Sequence, residues 1–219
     1  MNNKNLSFIQ SFQNLIINNF RNIIIIIGVI VILLVSSQLY IFIKNSELKE
    51  NSIKFFNTID NETDLVSNLQ NLSNEKNIYS VLSKLKLIEI NNKNNNYDVS
   101  NELYKELITS KDLNNLYKTA IATNASYALI NASYSENTNR FLDDISMYIS
   151  YISDELEGYA SIKNELEYLK LITEIDINNL DYENNDKALE LYNKVLNSSL
   201  ISSSAKERVK KIHEFQLYK

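Results

Sequence analysis

The chain has no cysteine, no proline and no tryptophan, and its only glycines are Gly28 and Gly158. Without cysteine there is no disulfide, no thiolate metal site and no cysteine nucleophile. With so little proline and glycine, the usual turn residues are missing. Asparagine, heavily used here, must therefore cap the helices and make the turns. The single histidine, His213, excludes a histidine metal cluster and leaves any general base without a histidine partner. A net charge of −5 argues against a nucleic-acid partner, which would want a basic face. The balance of 44% hydrophobic and 22% charged residues is that of a folded chain.

Charge is also missing locally. From Ile23 to Ile43 no residue is charged, and Arg21 and Lys44 bracket the run. At about 1.5 Å per residue, roughly 20 residues cross a hydrocarbon core of about 30 Å. Residues 23–43 are therefore expected to form one transmembrane helix. Ser36, Ser37 and Gln38 are its polar interruption, placed by a slight tilt near the interface. The run is longer than the apolar core of a signal peptide, and Ile41-Phe42-Ile43-Lys44 is not a cleavage site. Ahead of it, Leu6, Phe8, Ile9, Phe12, Leu15, Ile16 and Phe20 recur at helical spacing. Residues 1–22 are thus expected to be an amphipathic tail in contact with lipid. Lys4 and Arg21 in a tail without acidic residues favour a cytoplasmic N-terminus and a domain on the other side.

Residues 44–219 show neither sustained period-2 alternation nor an Asn-Gly or Asp-Gly hairpin turn. Apolar stripes at helical spacing run throughout. Leu48, Phe55, Phe56 and Ile59 extend or follow the anchor. Leu65, Val66, Leu69 and Leu72 follow a possible cap at Asn61. Stripes then run through Ile78–Ile88 spacing, Val99 to Ile108, and Leu113, Leu116, Tyr117, Ala120 and Ile121 onward to about residue 133. Phe141 to Ile152, Tyr159 to Ile172, Ala188 to Val195, and Val209 to Phe215 complete the set. Breaks rich in Asn and Ser fall at 91–96, 135–139, 178–185 and 197–204. Helices with short links pack as antiparallel neighbours, and stacked pairs make a solenoid.

A faint repeat supports that expectation. Glu102-Leu103-Tyr104-Lys105-Glu106-Leu107-Ile108 aligns with Glu190-Leu191-Tyr192-Asn193-Lys194-Val195-Leu196. Ser100 before Tyr104 and Ala188 before Tyr192 share a small-x3-aromatic spacing. The small residue admits the paired helix, and the aromatic one turn later fills the next gap. The expected fold is all-α: a single N-terminal transmembrane helix, then a tetratricopeptide-like helical-hairpin solenoid.

This layout resembles the ancillary subunit family of the SecYEG translocon. The tail, the single span, the Ile78-Tyr79-Ser80-Val81-Leu82-Ser83-Lys84-Leu85 helix leading into Val99–Ile108 spacing, and a terminal unit at 164–171, 186–196 and 203–215 carry the likeness. It covers nearly the whole chain as a pattern of helices. Ser, Lys and Asn replace some of the expected small residues, and no proline closes a repeat. The resemblance implies a single-pass protein of the bacterial inner membrane with its domain in the periplasm. It implies an accessory role in protein export or chaperone hand-over, with translocon subunits, periplasmic chaperones or secreted chains as partners. The alternative is a structural tether or assembly factor of an envelope complex, in cell-division coordination or as an oligomeric scaffold.

No catalytic signature emerges, so the chain is not expected to be an enzyme or to bind a cofactor, a metal, a small-molecule substrate or a nucleic acid. His213 reads as a satisfied surface histidine. The carboxylates at 143–144, 154–157 and 181–186 read as helix N-terminal and solvent charges. Residues 176–187 fail as a calcium loop, with Leu180 at a ligand position, Asp181 in place of the glycine and Lys187 in place of the closing glutamate. Tyr104, Tyr117, Tyr148 and Tyr192 lie on apolar stripes and are expected in the core. Tyr127, Tyr134 and Tyr151 are less clearly buried, and tyrosine suits interfaces. Asn124 and Asn131 fall near the centre of the apolar stripe that starts at Leu113. Either they line a solvated groove or the helix is turned differently. Asn124, Tyr127, Asn131, Tyr134 and Tyr151 are the candidate protein-binding groove.

Overall fold

The computed structural model describes residues 3–60 and 64–219, with side chains from residue 32 onward. Among the described residues the fold is all-α. The helices are α1 (Asn3–Asp60), α2 (Leu65–Ser73), α3 (Ile78–Lys93), α4 (Tyr97–Thr109), α5 (Asn115–Glu136), α6 (Leu142–Tyr151), α7 (Glu157–Asn178), α8 (Asp186–Asn197) and α9 (Ser203–Leu217). Two compact units divide the chain, residues 1–62 and residues 63–219.

The first unit is the single helix α1, which carries Leu48, Phe55, Phe56 and Ile59 without a break. The rings of Phe55 and Phe56 meet edge to face, 5.6 Å apart. Among the described residues no helix is long and apolar enough to cross a membrane. Residues 23–31 of the expected span, and the apolar pattern of the tail, lie outside the residues whose side chains are described. Asn61, the expected cap, also lies outside them; Asp64 stands before α2 instead, in a left-handed conformation with φ 59°.

In the second unit asparagine does take over the turns. Asn77, Asn114 and Asn185 cap α3, α5 and α8, each side chain accepting from a backbone N–H of the first turn. Ser202 does the same for α9. At the other ends, Asn95, Asn137 and Asn179 adopt positive φ, the conformation usually left to glycine. Each is followed by a residue whose N–H returns five positions: Asn96 to Asn91 O at 2.8 Å, Thr138 to Ser133 O at 3.0 Å, Leu180 to Ile175 O at 2.9 Å. These are Schellman closures, which satisfy carbonyls that the helix leaves unpaired.

Each helix from α2 to α9 packs on the next in sequence, and α5 also packs on α7. Two buried clusters result. The larger is built on α4, α5 and α6, with Ile108, Ala122, Ala125, Leu129, Ile145 and Tyr148 at its heart. The smaller joins α7, α8 and α9 through Tyr168, Ile175, Tyr182, Ala188, Val195 and Val209. Ser100 and Ala188 are both fully buried, as close helix approach requires. Each is followed four residues later by a ring, Tyr104 buried and Tyr192 half-buried.

Candidate protein-binding groove

Helix α5 sits at the centre of the larger cluster, and its orientation decides what the candidate residues can do. The side turned inward carries Thr119, Ala122, Ala125, Ser126, Leu129, Ala132 and Ser133. The inward hydroxyls bond their own helix, Thr123 Oγ1 to Thr119 O at 2.8 Å and Ser126 Oγ to Ala122 O at 2.9 Å. Small side chains of this kind let neighbouring helices approach closely without leaving a polar atom stranded.

This shifts the expected phase. Leu113, which lies before the helix begins, and Ile121 are buried as expected, but Leu116 and Tyr117 are exposed, at 49% and 56%. Tyr117 is therefore not a core residue, whereas Tyr104 and Tyr148 are. Asn124 and Asn131 are exposed and do not occupy the centre of the buried stripe. The reason is steric. The inward face is chosen by close approach of small residues, and the large tyrosines and amides are left outside.

The outward side is consequently a ladder. Tyr117, Ala120, Asn124, Tyr127, Asn131 and Tyr134 follow one another at alternating steps of three and four residues, which keeps them on one face. The ladder is about 25 Å long at ~1.5 Å per residue. Tyr134 is 60% exposed, and Tyr127 is half-buried. Lys118 and Glu136 are the charged residues of α5, so its sequence from 119 to 135 carries no charge. Four of the five candidate residues thus share this face. Tyr151 does not join them: it ends α6 at 38% exposure, its carbonyl facing Thr119 Oγ1 at 3.4 Å on the inward side of α5.

Tyr127 links the ladder to a cavity of about 420 Å3 among α5, α7 and α9. Its hydroxyl donates to Glu165 Oε2 at 3.0 Å. Glu165 is only 2% exposed, and Arg208 donates from Nε to its Oε1 at 3.0 Å and from Nη2 to the same oxygen. Burial, then the adjoining Glu165 carboxylate, pushes the Tyr127 phenol far up, so it stays protonated and remains a donor. The hydrogen bond to Glu165 raises the Arg208 pKa in turn. Tyr159, Ile162, Ile201 and Ala205 form apolar walls, and Leu200 is 54% exposed at the rim. A Cβ placed on Gly158, which also lines the cavity, would meet no atom within 4 Å.

Sequence reasoning missed Glu165 and Arg208. The signal was present for the glutamate: it falls between Ile162 and Leu166 on the apolar side of its helix, where a charge needs a partner. Arg208, 43 positions away, could be paired with it only through the fold.

The remaining acids behave locally. Asp181 accepts from Glu183 N and from the Asn184 side chain, closing the turn before α8 and holding its carboxyl below the usual range. Asp143, Asp144 and Asp186 stand in first turns of helices. Asp144 also takes the Asn101 amide and Lys105 Nζ. Among the described residues no group of three or more His, Asp or Glu is placed to hold a metal ion. His213 is half-buried rather than superficial, with Nδ1 on the Tyr182 hydroxyl and its ring stacked on Tyr192 at 4.0 Å. A second cavity, of about 470 Å3 at the α2–α3 turn, is lined largely by polar groups such as Ser73, Lys84, Glu106 and Asp112. Its lining is more polar than that of the cavity under Tyr127.

Comparison with described protein families, with curated proteins and with solved structures finds no match for the chain.

Proposed function

We propose that the chain is a membrane-anchored protein–protein interaction scaffold. In this reading residues 23–43 span the bacterial inner membrane once, residues 1–22 are cytoplasmic, and the helical domain is a tetratricopeptide-like solenoid in the periplasm. It serves as an accessory factor of the SecYEG translocon, assisting export or hand-over to chaperones.

One observation carries the binding role: the exposed Tyr and Asn ladder of α5 opens at Tyr127 onto an apolar-walled cavity. Tyrosine offers apolar area with a polar tip, as interface residues do. The polar floor is already satisfied by Tyr127, Glu165 and Arg208, so nothing there is set up for proton transfer to a substrate. Helices that pack mostly on their sequence neighbours fit a solenoid. The translocon as partner rests on the resemblance of the whole layout. Tethering would let weak contacts suffice, because it raises the effective concentration at the membrane.

The test uses the absence of cysteine. Ser203 is exposed at the start of α9, so Ser203→Cys in the full chain is a single reporter. A thiol reagent that crosses only the outer membrane should label it in intact cells. The chain should also co-purify with translocon subunits from mild detergent. Labelling only after lysis, or loss of co-purification, overturns the periplasmic translocon reading.

A further inference from the structure

We propose that the ladder on α5 takes uncharged, unfolded polypeptide in a polyproline-II-like conformation, with one apolar side chain of that segment seated in the cavity under Tyr127. The proposal rests on the binding role given above and names its partner.

Spacing is the first argument. Asn124 and Asn131 are seven residues apart on one helix, which at ~1.5 Å per residue is about 10 Å. A polyproline II chain repeats every three residues over about 9 Å, so every third peptide unit presents the same side. A β-strand alternates sides with each residue, and its third residue would point away. Polyproline II has no internal hydrogen bonds, so its N–H and C=O groups are free. One carboxamide offers both a donor and an acceptor, the match for a peptide unit. Two such amides in register therefore read a backbone rather than a particular sequence.

Charge is the second. The stretch from 119 to 135 carries none, so a charged segment lying on it would shed water without gaining a counter-charge. The cavity points the same way. Both oxygens of Glu165 are taken, Oε1 by Arg208 and Oε2 by Tyr127. The charges at its floor, Glu165 and Arg208, are paired with each other and cancel, whereas Tyr159, Ile162 and Ile201 suit an apolar group. A volume of about 420 Å3 admits a side chain as large as leucine or phenylalanine. A partner helix is disfavoured, since Asn124 and Asn131 would both oppose its apolar seam.

The experiment is fluorescence anisotropy on the full chain in detergent micelles. The probe is a labelled peptide of Ser, Thr, Gln and Pro with one central Leu, roughly 12 residues long so that it exceeds the ~25 Å ladder. A second probe has Asp in place of Leu. The Leu probe should bind, and the Asp probe should bind at least tenfold more weakly, by about the loss of one buried apolar group. Asn124→Ala and Asn131→Ala, both at exposed positions, should each weaken the Leu probe by about fivefold, the worth of one net hydrogen bond. Gly158→Phe, which fills the cavity, should weaken it by about tenfold with helix content unchanged. Equal binding of the two probes, or indifference to all three substitutions, overturns the proposal. So does tighter binding of a helical peptide with a leucine seam, which would make the ladder a helix site. A micellar dimer that Asn131→Ala dissociates would make it a self-association face and overturn the proposal as well. Peptide binding with these determinants, but no co-purification with the translocon, would leave this inference standing and remove the translocon from the reading. Co-purification without peptide binding would do the reverse.

Discussion

The two buried clusters share α7 but end their tyrosines differently. In the larger one, Tyr148 donates to the Asn101 carbonyl at 3.0 Å and to its side-chain oxygen at 2.7 Å. Neither acceptor changes charge at any ordinary pH. In the smaller one, the Tyr168 and Tyr182 hydroxyls lie 3.1 Å apart, and Tyr182 then meets His213 Nδ1. The same device, a phenol satisfied inside a core, is pH-neutral in one place and tied to a titrating ring in the other. Both clusters hold rings that meet edge to face, Tyr104 on Tyr148 in the larger and Tyr182 on His213 in the smaller, where one of the two is an imidazole. One core is therefore expected to respond chiefly to changes of volume, the other to changes of protonation as well.

The largest effect should come from volume. Leu129 is fully buried in the larger cluster, on the small-residue face of α5. Leu129→Ala should destabilise the domain by about 2–5 kcal/mol, the transfer and cavity cost of a buried leucine. Chemical denaturation followed by circular dichroism measures it. A loss below ~1 kcal/mol would mean that this face collapses around the gap, against the close packing inferred for it.

The next effect lies where the clusters meet. Glu165 is buried on α7 and Arg208, half-exposed on α9, is its cation. Arg208→Ala leaves the carboxylate with the Tyr127 bond alone and should cost about 2–3 kcal/mol. Glu165→Leu with Arg208→Leu removes both charges and should recover most of that loss. If the double variant is no better than the single one, the pair contributes more than the desolvation of its carboxylate, and the junction is held by charge rather than by packing.

These two sites also show what was readable beforehand. The helices and their breaks were legible because their apolar periodicity is strong, from Leu65 through Leu72 to Val209 through Phe215. The Asn-rich breaks at 91–96 and 178–185 were legible as turns because a chain with no proline and two glycines leaves most left-handed positions to asparagine, and Asn95 and Asn179 take them. The facing of α5 was not legible. Hydrophobicity points to Leu113, Leu116, Tyr117, Ala120 and Ile121, of which Leu113 and Ile121 are buried, yet the inward face of the helix is set by Ala122, Ala125, Ser126 and Ala132, whose advantage is size. The candidate ladder was found through its unusual residue types, but with Tyr117 assigned to the core and Tyr151 wrongly grouped with it. Glu165 and Arg208 were out of reach because a long-range pair depends on how α7 and α9 meet.

The smallest expected effect is the one that separates the clusters by protonation. Burial lowers the His213 pKa below its usual 6.5, partly opposed by neighbouring Glu214. Nδ1 lies on the Tyr182 hydroxyl, which can donate to it or accept from it, so burial rather than this bond sets the preference for the neutral ring. For a base whose folded pKa is depressed, the unfolded chain binds more protons between the two values. Its contribution to stability is complete above about 6.5 and is lost as pH falls from there through the folded pKa. His213→Gln keeps an acceptor for Tyr182 and cannot titrate. Relative to that variant, the native domain should lose stability on acidification below pH 6.5 and hold level above it. Thermal melts can be followed through tyrosine emission, since the chain has no tryptophan. Parallel pH profiles for the two proteins would show that the ring is protonated in place at no cost. The smaller cluster would then be as indifferent to pH as the larger, and the contrast between them would be one of packing alone.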